Sequence, residues 1–223
     1  MAEIEQDEIK LIDVKQEIFA DNDQSAAQIR QWLKTRKSCL INLMGSPGCG
    51  KTSLLLQTIQ HLKDKKKLAV IEGDIDSLVD SEKIQQTGVT AVQVNTGGAC
   101  HLDAVVVQRA LETLPQQNFD LIFVENIGNL VCPAEFDIGE QAKVMILSVP
   151  EGDDKILKYP LMFTVSDVLV VNKIDYLPEE GFSMEKLKAR AQILNPNLTI
   201  LPVSAKTGQG LEAWIQYLES LLS

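Results

Sequence analysis

The sequence has no long apolar run and little positive charge. Its 223 residues contain no uninterrupted stretch of about 18 apolar residues, the length that a membrane-spanning helix needs. The formal net charge is -10, and such an acidic balance disfavours binding to nucleic acid or to an anionic membrane. The N-terminus, MAEIEQDEIK, is acidic where a secretory signal is basic and then apolar. We therefore expect a soluble, cytoplasmic protein with no nucleic-acid or membrane partner.

Histidine and cysteine are also scarce, which limits where a soft metal ion can bind. The chain has two histidines and four cysteines, and residues 1–38 contain neither type. In a reducing cytosol, free thiols or metal ligands are expected rather than two disulfides. His61 lies beside a run of lysines and is interpreted as a solvated surface residue.

The hydrophobic pattern indicates an α/β domain. Hydrophobic residues make up 45% of the chain and charged residues 23%, which is ordinary for a globular protein. Helical patterns cover residues 53–62, 102–114, 183–194 and 211–222. Strands that are apolar on both faces and alternate with helices predict a mostly parallel sheet flanked by helices on both faces. Seven apolar segments are the predicted strands: CLINLM, LAVIEG, VTAVQV, DLIFVE, KVMILSV, DVLVVNK and LTILPVS.

A phosphate-binding motif follows the first predicted strand. The run GSPGCGKT matches G-x-x-x-x-G-K-T between a strand and a helix, which is the context that this motif requires. Its glycines let backbone N–H groups surround phosphates, while Lys51 is expected to reach the β and γ phosphates and Thr52 to bind Mg²⁺. The predicted loop comprises Gly45, Ser46, Pro47, Gly48, Cys49, Gly50, Lys51, Thr52 and Ser53.

Two further motifs favour GTP and GDP over adenine nucleotides. Asn172-Lys173-Ile174-Asp175 follows the sixth predicted strand, as the N-K-x-D motif does in GTPases. The Asp175 carboxylate can accept hydrogen bonds from N1–H and the 2-amino group of guanine, a donor pair that adenine lacks. Ser204, Ala205 and Lys206 follow the last predicted strand and resemble the S-A-K loop that meets the guanine oxygen. The ordered set of three motifs predicts a P-loop GTPase.

Two acidic residues are candidates for contact with Mg²⁺. Asp74 and Glu125 end the second and fourth predicted strands, at the edge of the sheet where ligands bind. Residues 125–128 resemble the D-x-x-G switch segment with Glu in place of Asp, so Gly128 is expected to sense the γ phosphate through its backbone N–H. The alternative is that these acids cap helices or are solvated. The candidate catalytic residues are Lys51, Thr52, Asp74, Glu125 and Gly128.

The first 37 residues differ in pattern from the rest. Their apolar positions recur at loosely helical spacing among many charges. We therefore predict an N-terminal helical arm over residues 1–37 and a P-loop GTPase domain over residues 38–223. The sequence leaves open whether the arm packs on this domain or on a second subunit.

A second cluster combines thiols with an imidazole. Cys100 and His101 follow the third predicted strand, and Cys132 follows the switch segment. Loops at strand ends of a parallel sheet converge on one edge, so Cys132 can approach this pair. Two thiolates and one imidazole suit Zn²⁺ or Ni²⁺, with a fourth position for water, another side chain or a second subunit. From spacing alone, the alternative is that these cysteines are small buried core residues.

These segments together resemble the HypB family of GTPases, which deliver nickel during maturation of nickel-iron hydrogenase. The resemblance rests on GSPGCGKT, NTGGACHLDA, FVENIGNLVCPAEFDIGE, VPEGDDKILKYP and NKID. It implies that Cys100, His101 and Cys132 bind Zn²⁺ or Ni²⁺ at the interface of a GTP-dependent homodimer. It also implies hand-over to a hydrogenase large-subunit precursor with a second accessory protein, HypA. Many members carry a cysteine motif or histidine-rich stretch near the N-terminus, and its absence from residues 1–38 makes nickel storage there doubtful.

Three other interpretations share some of these features. A chaperone GTPase for urease or a cobalamin enzyme has the same fold and P-loop but a different metal segment. A P-loop small-molecule kinase usually has an arginine-bearing lid, which this sequence does not suggest, and a zinc-stapled dimer would use the metal only structurally. We expect slow hydrolysis because the arginines stand outside the motifs. They are Arg30, Arg36, Arg109 and Arg190.

Overall fold

The apolar segments of the sequence form the strands of one sheet. The computed structural model describes residues 14–74, 83–177 and 181–222, without the side chains of residues 14–18 and 74. Within these residues, seven strands lie in the order β3-β2-β4-β1-β5-β6-β7, and each adjacent pair is parallel. The predicted fold class is confirmed. The strands are β1 Cys39–Gly45, β2 Leu68–Asp74, β3 Thr90–Asn95, β4 Leu121–Glu125, β5 Ala142–Ser148, β6 Val168–Asn172 and β7 Thr199–Pro202.

All four segments predicted to be helical are helices, with ends that differ by up to two residues from the prediction. Two of them begin at side-chain caps, where Asp103 accepts a hydrogen bond from Val106 N and Ser183 from Lys186 N. Three short helices after β4 and β5 were not predicted, because four to six residues carry too little periodicity. The helices are α1 Val14–Arg36, α2 Lys51–Leu62, α3 Ala104–Thr113, α4 Cys132–Glu135, α5 Lys155–Lys158, α6 Pro160–Val165, α7 Met184–Leu194 and α8 Leu211–Ser220.

Helices cover both faces of the sheet because successive strand residues point to opposite sides. In β1, Ile41 packs into the core beneath α2 and α8, while its neighbour Leu40 packs into the core beneath α1 and α3. A third apolar cluster lies beneath α5, α6 and α7 and includes Met145 of β5. No helix in the described residues is long and apolar enough to cross a membrane.

Helix α1 packs on the same face of the sheet as α3. Its residues Ala26, Ile29 and Leu33 are buried in the core that α3 also contacts. The Asn22 side chain accepts a hydrogen bond from Ala104 N and donates one to Asp137 O, each over 2.9 Å. Residues 1–13 lie outside the described residues, and the division at residue 37 into an arm and a domain stays a prediction.

Candidate functional site

The P-loop joins β1 to α2 and turns tightly around a cavity of about 460 Å³. Gly50 precedes α2 with φ of 97°, and a Cβ there would collide with the Asn172 side chain, so only glycine fits both constraints. Cys49 points into the core, and burial raises the pKa of its thiol to about 11. The helix that follows directs its positive end at the cavity, which suits phosphate groups.

The predicted reactive residues of the P-loop line this cavity. Lys51 is buried, and its Nζ lies 3.4 Å from both the Gly45 and the Ser46 carbonyl oxygen. The Thr52 hydroxyl donates to a Glu125 carboxylate oxygen over 2.7 Å. A hydroxyl and a carboxylate are the oxygen ligands that Mg²⁺ prefers, so this pair fits the ion.

A second buried acid, which the sequence prediction missed, stands beside Glu125. Glu72 of β2 is in register with Glu125 of β4, is 2% exposed and lines the same cavity. The signal was present in the strand periodicity, because residues two apart share a face and Glu72 shares one with Asp74. Asp74 was predicted as a magnesium ligand, and its side chain lies outside the described part of the structure.

The loop after β6 is tied to two neighbouring loops by one buried side chain. Asn172 donates from Nδ2 to Cys49 O over 3.0 Å, and its Oδ1 accepts from Lys173 N at 2.8 Å and from Ala205 N at 3.1 Å. Ser204 donates to Asp175 over 2.6 Å, which orients that carboxylate. The N-K-x-D and S-A-K segments are therefore assembled against the P-loop.

A second cavity, of about 470 Å³, opens between these loops and has Asp175 in its wall. It shares residues with the phosphate cavity, among them Gly50 and Lys173. Lys173 has φ of 61° and donates from Nζ to Gly48 O over 2.7 Å, so its side chain crosses the P-loop. The two cavities adjoin, as a nucleotide with its base and phosphates requires. The second cavity is lined by five of the residues predicted to contact guanine, namely Asn172, Lys173, Asp175, Ala205 and Lys206.

The segment after β4 rests directly on the P-loop. A Cβ on Gly128 would lie 2.8 Å from Pro47 Cγ and 2.9 Å from Pro47 N, so this approach needs glycine. The next residue, Asn129, donates from its backbone N to Gly45 O over 3.1 Å. This segment leads into α4, whose first residue is Cys132.

The structure brings Cys100, His101 and Cys132 together. The Cys100 thiol donates to Cys132 Sγ over 2.9 Å, and Cys100 Sγ lies 3.5 Å from His101 Nδ1. All three ligand atoms lie within 4.8 Å of one another, which is close enough to bind one ion. Both cysteines are free thiols, Cys100 exposed and Cys132 half-buried. The alternative of buried core cysteines is wrong for this pair and applies to Cys39 and Cys49.

The thiol and the imidazole of the cluster differ in how their pKa values affect metal binding. The hydrogen bond with Cys132 raises the pKa of the Cys100 thiol, so an ion that binds this sulfur must displace its proton. Burial lowers the pKa of His101, which keeps the ring neutral and able to coordinate. The ring is held by Phe136, with centroids 4.1 Å apart, and Phe136 stacks on Phe19 of α1 at 5.0 Å. Sequence reasoning did not find these aromatic contacts.

Two features outside the clusters have structural explanations. His61 is exposed on α2, with Nδ1 2.8 Å from Gln57 O. In the EGDDK segment, Glu151 accepts from both the N–H and the hydroxyl of Ser148. Asp153 accepts from Arg190 over 2.7 Å, which fastens the segment to α7.

Comparison with known proteins identifies the family of this chain. The family described as CobW/HypB/UreG, nucleotide-binding domain, matches residues 39–202. The hydrogenase maturation factor HypB of Escherichia coli strain K12 is 44% identical over 95% of this chain and 73% of its own length. The crystal structure of HypB from Archaeoglobus fulgidus has a TM-score of 0.86 and 38% identity over 92% of this chain and 100% of its own. That of Helicobacter pylori HypB in complex with nickel also has a TM-score of 0.86, with 35% identity over 91% and 95%. The chain belongs to the HypB family.

Proposed function

We propose that this protein is a GTP-hydrolysing metallochaperone that delivers nickel during maturation of nickel-iron hydrogenase. The observation that carries the proposal is the contact of one loop with both sites. Gly128 rests on Pro47 of the P-loop, and Cys132 of the metal cluster follows in the same segment. A change in the phosphates can therefore change the separation of the thiols.

GTP is the proposed nucleotide because Asp175 is an oriented acceptor in the second cavity. Its carboxylate is aligned by Ser204 and can pair with the two donors of guanine. Lys51 and the backbone N–H of Gly128 bind the phosphates in this proposal. Thr52 and Glu125, together with Asp74, hold Mg²⁺, which neutralises phosphate charge when bound.

Hydrolysis is slow in this proposal because the arginines lie away from the phosphate cavity. Arg30 pairs with Asp137 at 2.6 Å, Arg190 pairs with Asp153, and Arg36 stacks over Trp32 at 4.4 Å. Arg109 is exposed on α3. A supplied arginine accelerates phosphoryl transfer by about 10³–10⁵ in other GTPases, so a protein without one acts as a slow switch.

The cargo is Ni²⁺ or Zn²⁺, and the proposed site is incomplete within one chain. Three ligands leave one position of a tetrahedral ion open, which a second copy of the cluster can fill in a GTP-dependent homodimer. An open position also favours exchange over permanent binding. The proposed recipients are a HypA-like accessory protein and the hydrogenase large-subunit precursor, in the cytoplasm.

The proposal is tested by transfer of labelled nickel to the hydrogenase large-subunit precursor. The protein is loaded with ⁶³Ni²⁺ and mixed with precursor and HypA, in the presence of GTP or a non-hydrolysable analogue. We expect several-fold more nickel in the precursor with GTP, and a shift from monomer to dimer with the analogue in light scattering. Equal transfer under both conditions would contradict the proposal, and unchanged size would remove the dimer from it.

A structural zinc site is the competing function. In a zinc-stapled dimer, Cys132→Ala dissociates or unfolds the protein whichever nucleotide is bound. In our proposal this variant stays folded, binds GTP and fails to transfer nickel.

A further inference from the structure

One asparagine contacts both loops of the metal cluster. Asn129 donates from Nδ2 to Cys100 O over 3.1 Å, and its Oδ1 accepts from Val131 N over 2.9 Å. Val131 directly precedes Cys132. The Asn129 side chain therefore bonds the main chain beside each thiol.

The backbone of the same residue is anchored on the P-loop. Asn129 N donates to Gly45 O, and these residues form an isolated antiparallel bridge. Gly45 O is also one of the two carbonyl oxygens that Lys51 Nζ contacts. Asn129 thus shares a hydrogen-bond acceptor with the lysine that is expected to bind phosphate.

A neighbouring asparagine, Asn126, differs from Asn129 in its contacts and its burial. Asn126 is 1% exposed, and its amide is fixed between Asn42 of β1 and Leu102 N. A residue fixed in this way stabilises the start of the loop that follows β4. Asn129 is half-buried and lies one residue beyond the Gly128 contact, between the P-loop and the metal cluster.

We propose that Asn129 is the positioning residue that transmits the nucleotide state to the separation of Cys100 and Cys132. The inference rests on the proposed function and deepens it. Movement of the Gly128 segment pulls or releases the Cys100 loop through the Asn129 amide, so the same three ligands have a different spacing with each nucleotide.

The test compares two substitutions at this position. Asn129→Asp has nearly the same shape and keeps the acceptor for Val131 N, but it places a carboxylate oxygen against Cys100 O and so removes the donor. Asn129→Ala removes both bonds without adding charge. Asn195→Ala is the matched control, because that amide also donates to backbone carbonyls, those of Phe163 and Ser166. These carbonyls precede β6, at the edge of the sheet opposite the strand ends that carry the cluster.

The readout is Co²⁺, whose affinity and visible spectrum report ligand geometry. Each protein is titrated with Co²⁺, once with GDP bound and once with a non-hydrolysable GTP analogue bound. The ratio of these two Co²⁺ affinities is then compared between proteins, because the charge that Asn129→Asp adds changes both affinities. For Asn129→Asp and Asn129→Ala we expect this ratio to fall about 5-fold towards one, the effect of a single net hydrogen bond. The two nucleotide-bound spectra should become alike, while nucleotide affinity changes by less than about 2-fold.

The outcomes separate this inference from the proposed function. If the wild-type protein and Asn195→Ala keep a nucleotide-dependent ratio and both Asn129 variants keep it too, the positioning role is overturned. If the wild-type ratio is itself one, the proposed coupling fails first. If Asn129→Asp does not fold, Asn129→Ala decides, and its unchanged ratio would equally overturn the inference.

Discussion

The guanine side and the metal side of the molecule are held together in different ways. On the guanine side, the buried Asn172 amide makes three hydrogen bonds to main-chain groups of its own and neighbouring loops, and Ser204 aligns Asp175. On the metal side, Cys100 is exposed, and the Asn129 amide joins the loops on which the two thiols stand. The proposed base pocket is thus held in place by its own hydrogen bonds, whereas in our proposal the thiol cluster changes its spacing with the nucleotide.

The largest expected effect comes from removing base recognition on the guanine side. Asp175→Asn replaces an acceptor for two guanine donors with an amide that pairs with xanthine. We expect the preference for GTP over xanthosine triphosphate to shift on the order of 10⁴-fold, because unpaired groups in a polar site are costly. Fluorescent-nucleotide titration measures it, with Co²⁺ affinity of the nucleotide-free protein as the unchanged control. A retained guanine preference would contradict the assignment of the pocket.

The next largest expected effect is a loss of metal affinity at the thiol cluster. Cys132→Ser removes one of three ligands, and we expect Zn²⁺ affinity to fall roughly 100-fold, since a full set of four ligands contributes about 10–16 kcal/mol. Competition with a chromogenic chelator measures it. Cys39→Ala, a buried thiol in β1, is the control and should leave both metal and GDP affinity unchanged. Equal losses in the two variants would mean that the effect is structural.

Thiol reactivity compares the buried cysteines with the cysteines of the metal cluster without any mutation. Burial raises the pKa of Cys39 and of Cys49 to about 11. At pH 8 their thiolate fraction is therefore about 100-fold below that of an ordinary thiol, and it rises only as the pH approaches 11. Mass spectrometry after iodoacetamide treatment at pH 8 should find Cys100 and Cys132 modified, because the reagent can reach these thiols and cannot reach the buried pair. Zn²⁺ should protect them. Comparable modification of all four thiols would refute the burial pattern.

The smallest effect is on global stability. Asn172→Ala leaves the Cys49 carbonyl and the Lys173 and Ala205 N–H groups without their partner in a buried site. We expect the free energy of unfolding in urea to fall by about 2 kcal/mol, which is typical for stranded buried polar groups. Asn197→Ala, at an exposed position, should change it by less than about 0.5 kcal/mol. Equal stability of the two variants would show that Asn172 does not hold its own loop against the P-loop and the S-A-K loop.

The sequence predicted the sheet and the order of the motifs because both depend on local patterns. Apolar runs such as DLIFVE become β4, and a P-loop is placed by the strand before it and the helix after it. Cys132 was expected near Cys100 and His101 because strand-end loops share an edge, and the structure brings the three within 4.8 Å. Parallel topology thus turns sequence order into spatial proximity.

Apart from the thiol cluster, side-chain contacts between distant loops were not predictable, since they depend on side-chain orientation. The stack of Phe19, Phe136 and His101 joins residues from three separate segments, and no spacing rule links them. Glu72 lies two residues before the end of β2 and shares its face of the strand with the predicted ligand Asp74, so strand periodicity contained the signal for it. The proposed role of Asn129 depends on hydrogen bonds to Gly45 and Cys100, which are distant from it in sequence.

In our proposal, the nucleotide sets the geometry of the Cys100, His101 and Cys132 cluster. The most direct test of this proposal is the Zn²⁺ or Ni²⁺ affinity of the unmodified protein, measured by chelator competition with GDP and then with a non-hydrolysable GTP analogue. We expect the two affinities to differ at least about 5-fold, which is the lower end of ordinary coupling between two sites. Equal affinities with fully bound nucleotide would contradict it.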